Sequence, residues 1–206
     1  MAGVVKVVHS WRCVSDAVVA ALSEPTADPF VRPILVAPGN AQSRSLLQSL
    51  ARRHGIAAGI DTTTPLGLRE RLEEDLLGIK RENDPWQPGP LALRICRIIE
   101  NNSPGFEVVS AHLEASRRQG VPRATWTTAR QAADAICALA RDSHDVLNAW
   151  ADGAAPTSHQ GDTDLAGDPL DPARAWWAPL WRTLLAKPCH VPDPVSRHQL
   201  LVDAIL

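Results

Sequence analysis

No stretch of this 206-residue chain approaches the ~20 consecutive apolar residues a membrane helix needs, so no span of that kind is expected. An excess of charge of one sign is missing too: 21 basic residues stand against 23 acidic ones, a net charge of −2. That balance argues against an indiscriminate polyanion binder and leaves room for a local basic track. The four cysteines, Cys13, Cys96, Cys137 and Cys189, form no C-x-x-C pair. They read as reduced thiols of a cytoplasmic protein rather than a disulfide framework. Cys189-His190 is one pair of possible ligands in a Pro-rich loop, where zinc wants four ligands in two close pairs. The opening residues show no basic n-region followed by an apolar run and a small-residue cleavage site, so export is not expected.

The usual catalytic patterns are absent as well. There is no G-x-S-x-G and no H-E-x-x-H. His144 and Asp145 are sequence neighbours on an expected helix, where residues i and i+1 do not face each other, and they read as surface polar residues. His9 and Ser10 could pair as base and nucleophile, but nothing supplies a third group or an oxyanion donor. The acidic cluster Asp162, Asp164, Asp168 and Asp171 lacks the alternate spacing and terminal Glu of an EF-hand loop.

What is there is a composition of 45% hydrophobic and 21% charged residues, ordinary for a soluble globular chain of one domain or one plus part of another. Residues 4–22 organise the rest. Val4, Val5, Val7 and Val8 have the β-branched composition of a short strand buried on both faces, and a helix is expected from Asp16. Strand, tight loop and helix at this place is the frame of a nucleotide-binding α/β domain. Its phosphate loop needs inward-turned backbone N–H groups on glycines, then Lys-Ser/Thr. The loop here is His9-Ser10-Trp11-Arg12-Cys13, with no glycine and two bulky residues. The frame is present and its chemistry is missing.

Ile34-Leu35-Val36-Ala37 reads as a second buried strand, with Asn40 as N-cap of a helix that Gly55 ends. Residues 56–60 read as a third short strand. Strands separated by helices imply parallel pairing, with the functional rim beyond the strand C-termini. That rim would gather His9-Ser10, Pro38-Gly39-Asn40 and residues 61–64. From Leu66 the pattern turns helical: 66–77, 91–100, 108–118, 128–141 and a piece around 146–150. Arg69-Glu70-Arg71 with Glu73-Glu74-Asp75 reads as a solvated face, and Thr127 or Thr128 as the cap of the clearest helix. Residues 152–172 read as a flexible insertion. In 173–185, Trp176, Trp177 and Trp181 are weighed between a base-stacking platform and core packing, the latter preferred. Residues 196–206 read as a last helix ending on an unfinished apolar face, which suggests the front piece of a longer protein.

Specific segments resemble a known family. They are Val8-His9-Ser10, Asp28-Pro29-Phe30, Ile34-Leu35-Val36, Gly55-Ile56-Ala57-Ala58 with Ile60-Asp61, Ala132-Ala133-Asp134, and Ala175-Trp176 with Ala178-Pro179-Leu180-Trp181. In that order they are similar to the N-terminal part of the RecC family, the gamma subunit of exodeoxyribonuclease V, the RecBCD helicase–nuclease. The resemblance implies an α/β fold: a small parallel sheet with flanking helices, a degenerate superfamily 1 helicase-like motor domain, and a helix-rich C-terminal half. Residues 1–65 and 173–206 would be parts of that motor-like domain lacking a Walker A motif, and 66–151 a helical subdomain.

The resemblance further implies a non-catalytic scaffold that guides the 3′-ended strand and scans it for the Chi signal. RecB-like and RecD-like motors would be its partners in a heterotrimer. No cofactor is implied in this chain, ATP and magnesium being used by those partners. Gln42 would match a glutamine lining the strand channel, near an insertion at Ser43-Arg44, and Thr64 stands where the family has an apolar Chi contact. Asp134 would match a Chi-region aspartate, while Ala135 and Cys137 replace a leucine and a second aspartate. Glu70 replaces a stacking tryptophan, and Ser143 an arginine. These departures imply either that sequence-specific Chi reading is lost or that a different signal is read. From the residues themselves, Arg12, Arg44, Arg52 and Arg53 follow the first two strands and could contact phosphates. Two alternatives stand beside this reading: a helical interaction module without DNA contact, and an enzyme with an atypical phosphate site at the Pro38-Gly39-Asn40 helix start.

Overall fold

The computed structural model describes residues 7, 10–23, 28, 31–101, 104–153, 176–187 and 189–205. They fall into two compact units, divided between Leu72 and Glu73.

In the first unit α1 (Trp11–Leu22) is followed by β1 (Ile34–Val36), α2 (Asn40–His54), β2 (Asp61–Thr63) and the start of α3 (Pro65–Leu77). β1 and β2 pair in parallel, Ile34 opposite Asp61 and Val36 opposite Thr63, with α2 as the crossover. The ladder extends one step at each end: Asp61 N–H donates to the Pro33 carbonyl and Ala37 N–H to that of Thr63, each at 3.0 Å. α1 packs on α2, and Val19, Leu35, Leu46 and Leu50 are buried.

Several expectations change here. Of the opening strand only Val7 lies within the described residues, and it is 81% exposed. α1 begins at Trp11 rather than Asp16, because the Ser10 hydroxyl accepts the Cys13 N–H and caps the helix there. The supposed phosphate loop is therefore helix from Trp11 onward. β1 is buried on one face only: Leu35 is 7% exposed, against 46% for Ile34 and 39% for Val36. The strand expected at 56–60 lies at Asp61–Thr63 instead. Gly55 and Gly59 both take positive φ, which an extended strand does not, whereas Thr62 and Thr63 are β-branched. The cap of α2 is Gly39, with Asn40 already in the helix; Gly55 ends it at φ 79° as expected. Among the described residues the sheet has two strands, not three.

The second unit is helical. After a 3-10 turn at Arg81–Asn83 come α4 (Pro88–Glu100), α5 (Glu107–Arg118), α6 (Ala124–Asp142), α7 (His144–Ala151), α8 (Trp177–Ala186) and α9 (Pro194–Ile205). Its centre is α4 against α6. Leu91, Ile95, Ile98 and Ile99 fill one stripe and meet Ala129, Ala132, Ala133 and Ile136. Large against small residues let the two backbones approach closely, and each buried Leu or Ile side chain contributes about 1.5–3 kcal/mol. α6 starts at Ala124, three or four residues before its expected cap at Thr127 or Thr128, after Arg123 in the left-handed region.

Tryptophan supplies much of the remaining bulk. Trp181 packs tilted on Trp86 at 5.6 Å, and Trp176 on Phe106 at 6.2 Å. Packing, not a stacking platform, is what Trp176 and Trp181 do. α8 and α9 pack on α4, α6 and α7, so the described part of 173–206 clusters with the helical unit rather than with 1–65. Residues 154–175, which hold most of the expected insertion and the acidic cluster, lie outside the described residues.

One charged face is also not what periodicity suggests. Glu73 is buried, and its carboxylate accepts from Arg197 Nη1 at 3.3 Å. The Arg197 guanidinium makes a two-pronged contact with Asp84, Nη1 to Oδ2 at 2.8 Å and Nη2 to Oδ1. Its Nε donates to the Pro192 carbonyl at 2.9 Å. A helix surface read from charge alone as solvated thus carries the anchor of α9.

Candidate functional site

The C-terminal end of the β1–β2 pair is where an α/β unit places a site. Two connections leave it. The first runs from Ala37 through Gly39, whose extended backbone (φ −169°) opens α2 without any side-chain cap. Ser43 returns to this turn, its N–H donating to the Gly39 carbonyl at 3.1 Å and its hydroxyl to the same oxygen at 3.3 Å. Gln42 folds back over Gly39: a Cβ placed there would sit 3.1 Å from Gln42 Oε1. The second connection is Thr64, whose Oγ1 accepts the Gly67 N–H at 3.1 Å and so caps α3. The chain is tight there, since a Cβ on Gly67 would come within 2.5 Å of Thr63 Oγ1. Gln42 and Thr64 thus stand on neighbouring connections at one rim, and Arg44 is exposed on the α2 turn beside them. Ser10, expected at the same rim, spends its hydroxyl on the α1 cap and on Cys13 Sγ at 3.2 Å.

Asp134 belongs to the second unit. It is exposed on α6 and held by Arg130, Nε to Oδ2 at 3.1 Å. The positions beside it turn inward. Ala135 is half-buried, and Cys137 donates to the Trp86 carbonyl at 3.5 Å. Burial pushes the Cys137 thiol up to about 11. Ser143 is half-buried at the α6–α7 junction, its N–H on the Leu139 carbonyl at 2.8 Å. Glu70 is half-buried on α3.

His144 corrects another expectation. It is half-buried and stacks on His198 at 4.6 Å, joining α7 to α9 instead of standing at the surface. A half-open groove of about 380 Å³ between α5, α6 and α8 is lined by Val108, His112, Gln131 and Trp177 among others. Among the described residues no three His, Cys, Asp or Glu side chains converge as metal ligands. No described helix is long and apolar enough to cross a membrane.

The sequence as a whole decides what the site alone does not. The family model described as RecC, N-terminal domain, matches residues 7–205. The chain belongs to this family. Among curated relatives, the RecBCD enzyme subunit RecC of Mycobacterium tuberculosis is 29% identical over 199 residues, covering 86% of this chain and 16% of the relative. The corresponding subunit of Mycolicibacterium smegmatis is 26% identical over 186 residues, covering 86% and 15%. The chain therefore spans about a sixth of the length of these relatives. The RecC N-terminal match runs across both compact units, so the two-stranded α/β part and the helical part belong to one family domain. The buried Arg197–Asp84–Glu73 cluster has no counterpart among the sequence expectations, because nothing local links residues so far apart.

Proposed function

We propose that this chain is the strand-guiding and scaffolding N-terminal region of a RecC-type subunit, without catalysis of its own, in a helicase–nuclease of double-strand break repair. The observation that carries this reading is the family match over residues 7–205, joined to RecBCD subunit relatives in two mycobacterial species. The proposed partners are RecB-like and RecD-like motor subunits, which would use the ATP and magnesium, and DNA in single- and double-stranded form. The proposed compartment is the cytoplasm.

The local chemistry fits a motor frame that no longer turns over nucleotide. A working phosphate loop offers unpaired backbone N–H groups, a lysine and a metal-binding hydroxyl. Here helix α1 starts at Trp11, and Ser10 satisfies the Cys13 N–H. Steering a strand needs only phosphate contacts and surfaces for bases. Gln42, Arg44 and Thr64 at the sheet rim, and Asp134 on α6, are the proposed contacts. The Thr64 hydroxyl is engaged by Gly67, and Asp134 by Arg130, so neither reads a base edge without exchanging a partner. With Glu70 in place of a stacking tryptophan, the strand would be scanned for a signal other than Chi.

Reconstitution with partner subunits tests this directly. Binding of single-stranded DNA by the subunit should fall with salt, the logarithmic slope growing by roughly 0.7 for each phosphate neutralised. Nucleotide titration of the chain alone should give no saturable binding. Saturable ATP binding with turnover by this polypeptide would favour the enzyme reading at the α2 start. Co-purification of a motor subunit without any DNA contact would favour the interaction module.

A further inference from the structure

The chain carries a slight net negative charge, yet one corner of the second unit is locally basic. α5 ends in Arg117 and Arg118, and Gly120 at φ 72° turns the chain back toward α6. Arg117 Nη2 donates to Thr125 Oγ1 at 3.4 Å, fixing the last turn of α5 against the first turn of α6. Arg123 then sits at φ 57°, the one non-glycine residue with positive φ among those described. A glycine would hold this place at no steric cost. Three residues on, Trp126 is 38% exposed, and Arg130 follows one turn later on the same face. Three carboxylates stand near this charge: Glu114 pairs with Arg118, Asp134 pairs with Arg130, and Glu100 lines one pocket with Arg117. Neither Arg117 nor Arg123 has a carboxylate partner among the described residues. Both ion pairs are exposed, so they exchange readily for another anion.

Arginines on the same turn and helix ends as an exposed indole suit a ligand that is both polyanionic and planar. We infer that the α5–α6 corner holds single-stranded nucleic acid, with phosphates against Arg117, Arg118 and Arg123 and a base stacked on Trp126. This rests on the strand-guiding reading and extends it to residues that the family resemblance did not assign. An acidic peptide would use the arginines and leave the indole idle, which separates the two ligands.

The test uses the full chain and fluorescence anisotropy of a labelled oligothymidine, with an abasic oligonucleotide of equal length in parallel. Arg118→Gln combined with Arg123→Gly should weaken binding several-fold and lower the salt slope by roughly 0.7 for each phosphate left without its arginine. Its melting temperature should hold or rise, because the glycine removes a left-handed arginine. Trp126→Ala should weaken oligothymidine roughly ten-fold and leave the abasic strand unaffected, with Trp126→Phe restoring most of the affinity. Wild-type affinity in these variants, while the parent chain binds, overturns the corner and leaves the strand-guiding reading in place. Equal weakening of both oligonucleotides by Trp126→Ala, or polyglutamate competing as well as oligothymidine, also overturns it. A parent chain with no salt-dependent binding at all overturns the corner, and the strand-guiding reading falls only if the reconstituted subunit also fails to bind.

Discussion

Arg197 is 3% exposed and meets two carboxylates in the interior of the helical unit. Removing one member of such a buried cluster leaves the others charged and unpaired, which costs about 3–5 kcal/mol. Arg197→Met should therefore lower the unfolding free energy by that order, measured by urea denaturation. The pH dependence follows from Asp84. Burial alone would raise its carboxyl, but the Arg197 guanidinium and the Trp86 N–H outweigh this and hold it below the ordinary value of 3.8. A depressed folded value means the contribution is complete above the unfolded value and is lost as pH falls through the folded one. Stability should decline below about pH 4 in the parent chain, and Asp84→Asn should flatten that decline from an already lower start. The cysteines divide in the same way. Cys13 is exposed, whereas burial pushes Cys137 up to about 11. Iodoacetamide at neutral pH should label Cys13 in the folded chain and Cys137 only after unfolding, as read by peptide mass spectrometry.

At the scale of elements, the α4–α6 contact holds the helical unit together. Ala133 is fully buried where α6 faces the Leu91–Ile95–Ile98 stripe. Ala133→Leu would force those helices apart, and overpacking of this kind costs about 1–3 kcal/mol. The same change at exposed Ala111 on α5 should be silent in the same thermal melt. Periodicity made α2, α3 and α5 legible to within a residue, because an amphipathic stripe is a local signal. It placed the start of α6 late, since Arg123 takes a conformation that residue type does not announce. It also misplaced the second strand of the pair. Residues 56–60 are more apolar, but Asp61–Thr63 lie opposite Ile34–Val36, and strand pairing is decided across the ladder.

For the whole molecule, the two units differ in what they bury. The first has Val19, Leu35, Ala37, Leu46 and Leu50 in its interior and a two-stranded ladder, which is marginal alone in water. The second has a continuous core running from Trp86 to Leu184. Native-state hydrogen exchange should open the β1–β2 amides well before those of α4 and α6. Protection of both sets with one common free energy would show that the units unfold together.

The residues alone were enough for the helical character of the second half, the parallel α/β start, the missing glycine-rich loop and the family. Each of these rests on local spacing or on ordered short segments that survive without coordinates. They were not enough for the candidate site. Whether Gln42 and Thr64 share a rim depends on the register of β1 with β2, and whether Glu73 is solvated depends on an arginine near the far end of the chain. Both are long-range pairings, and only the packed chain brings such residues within reach of one another.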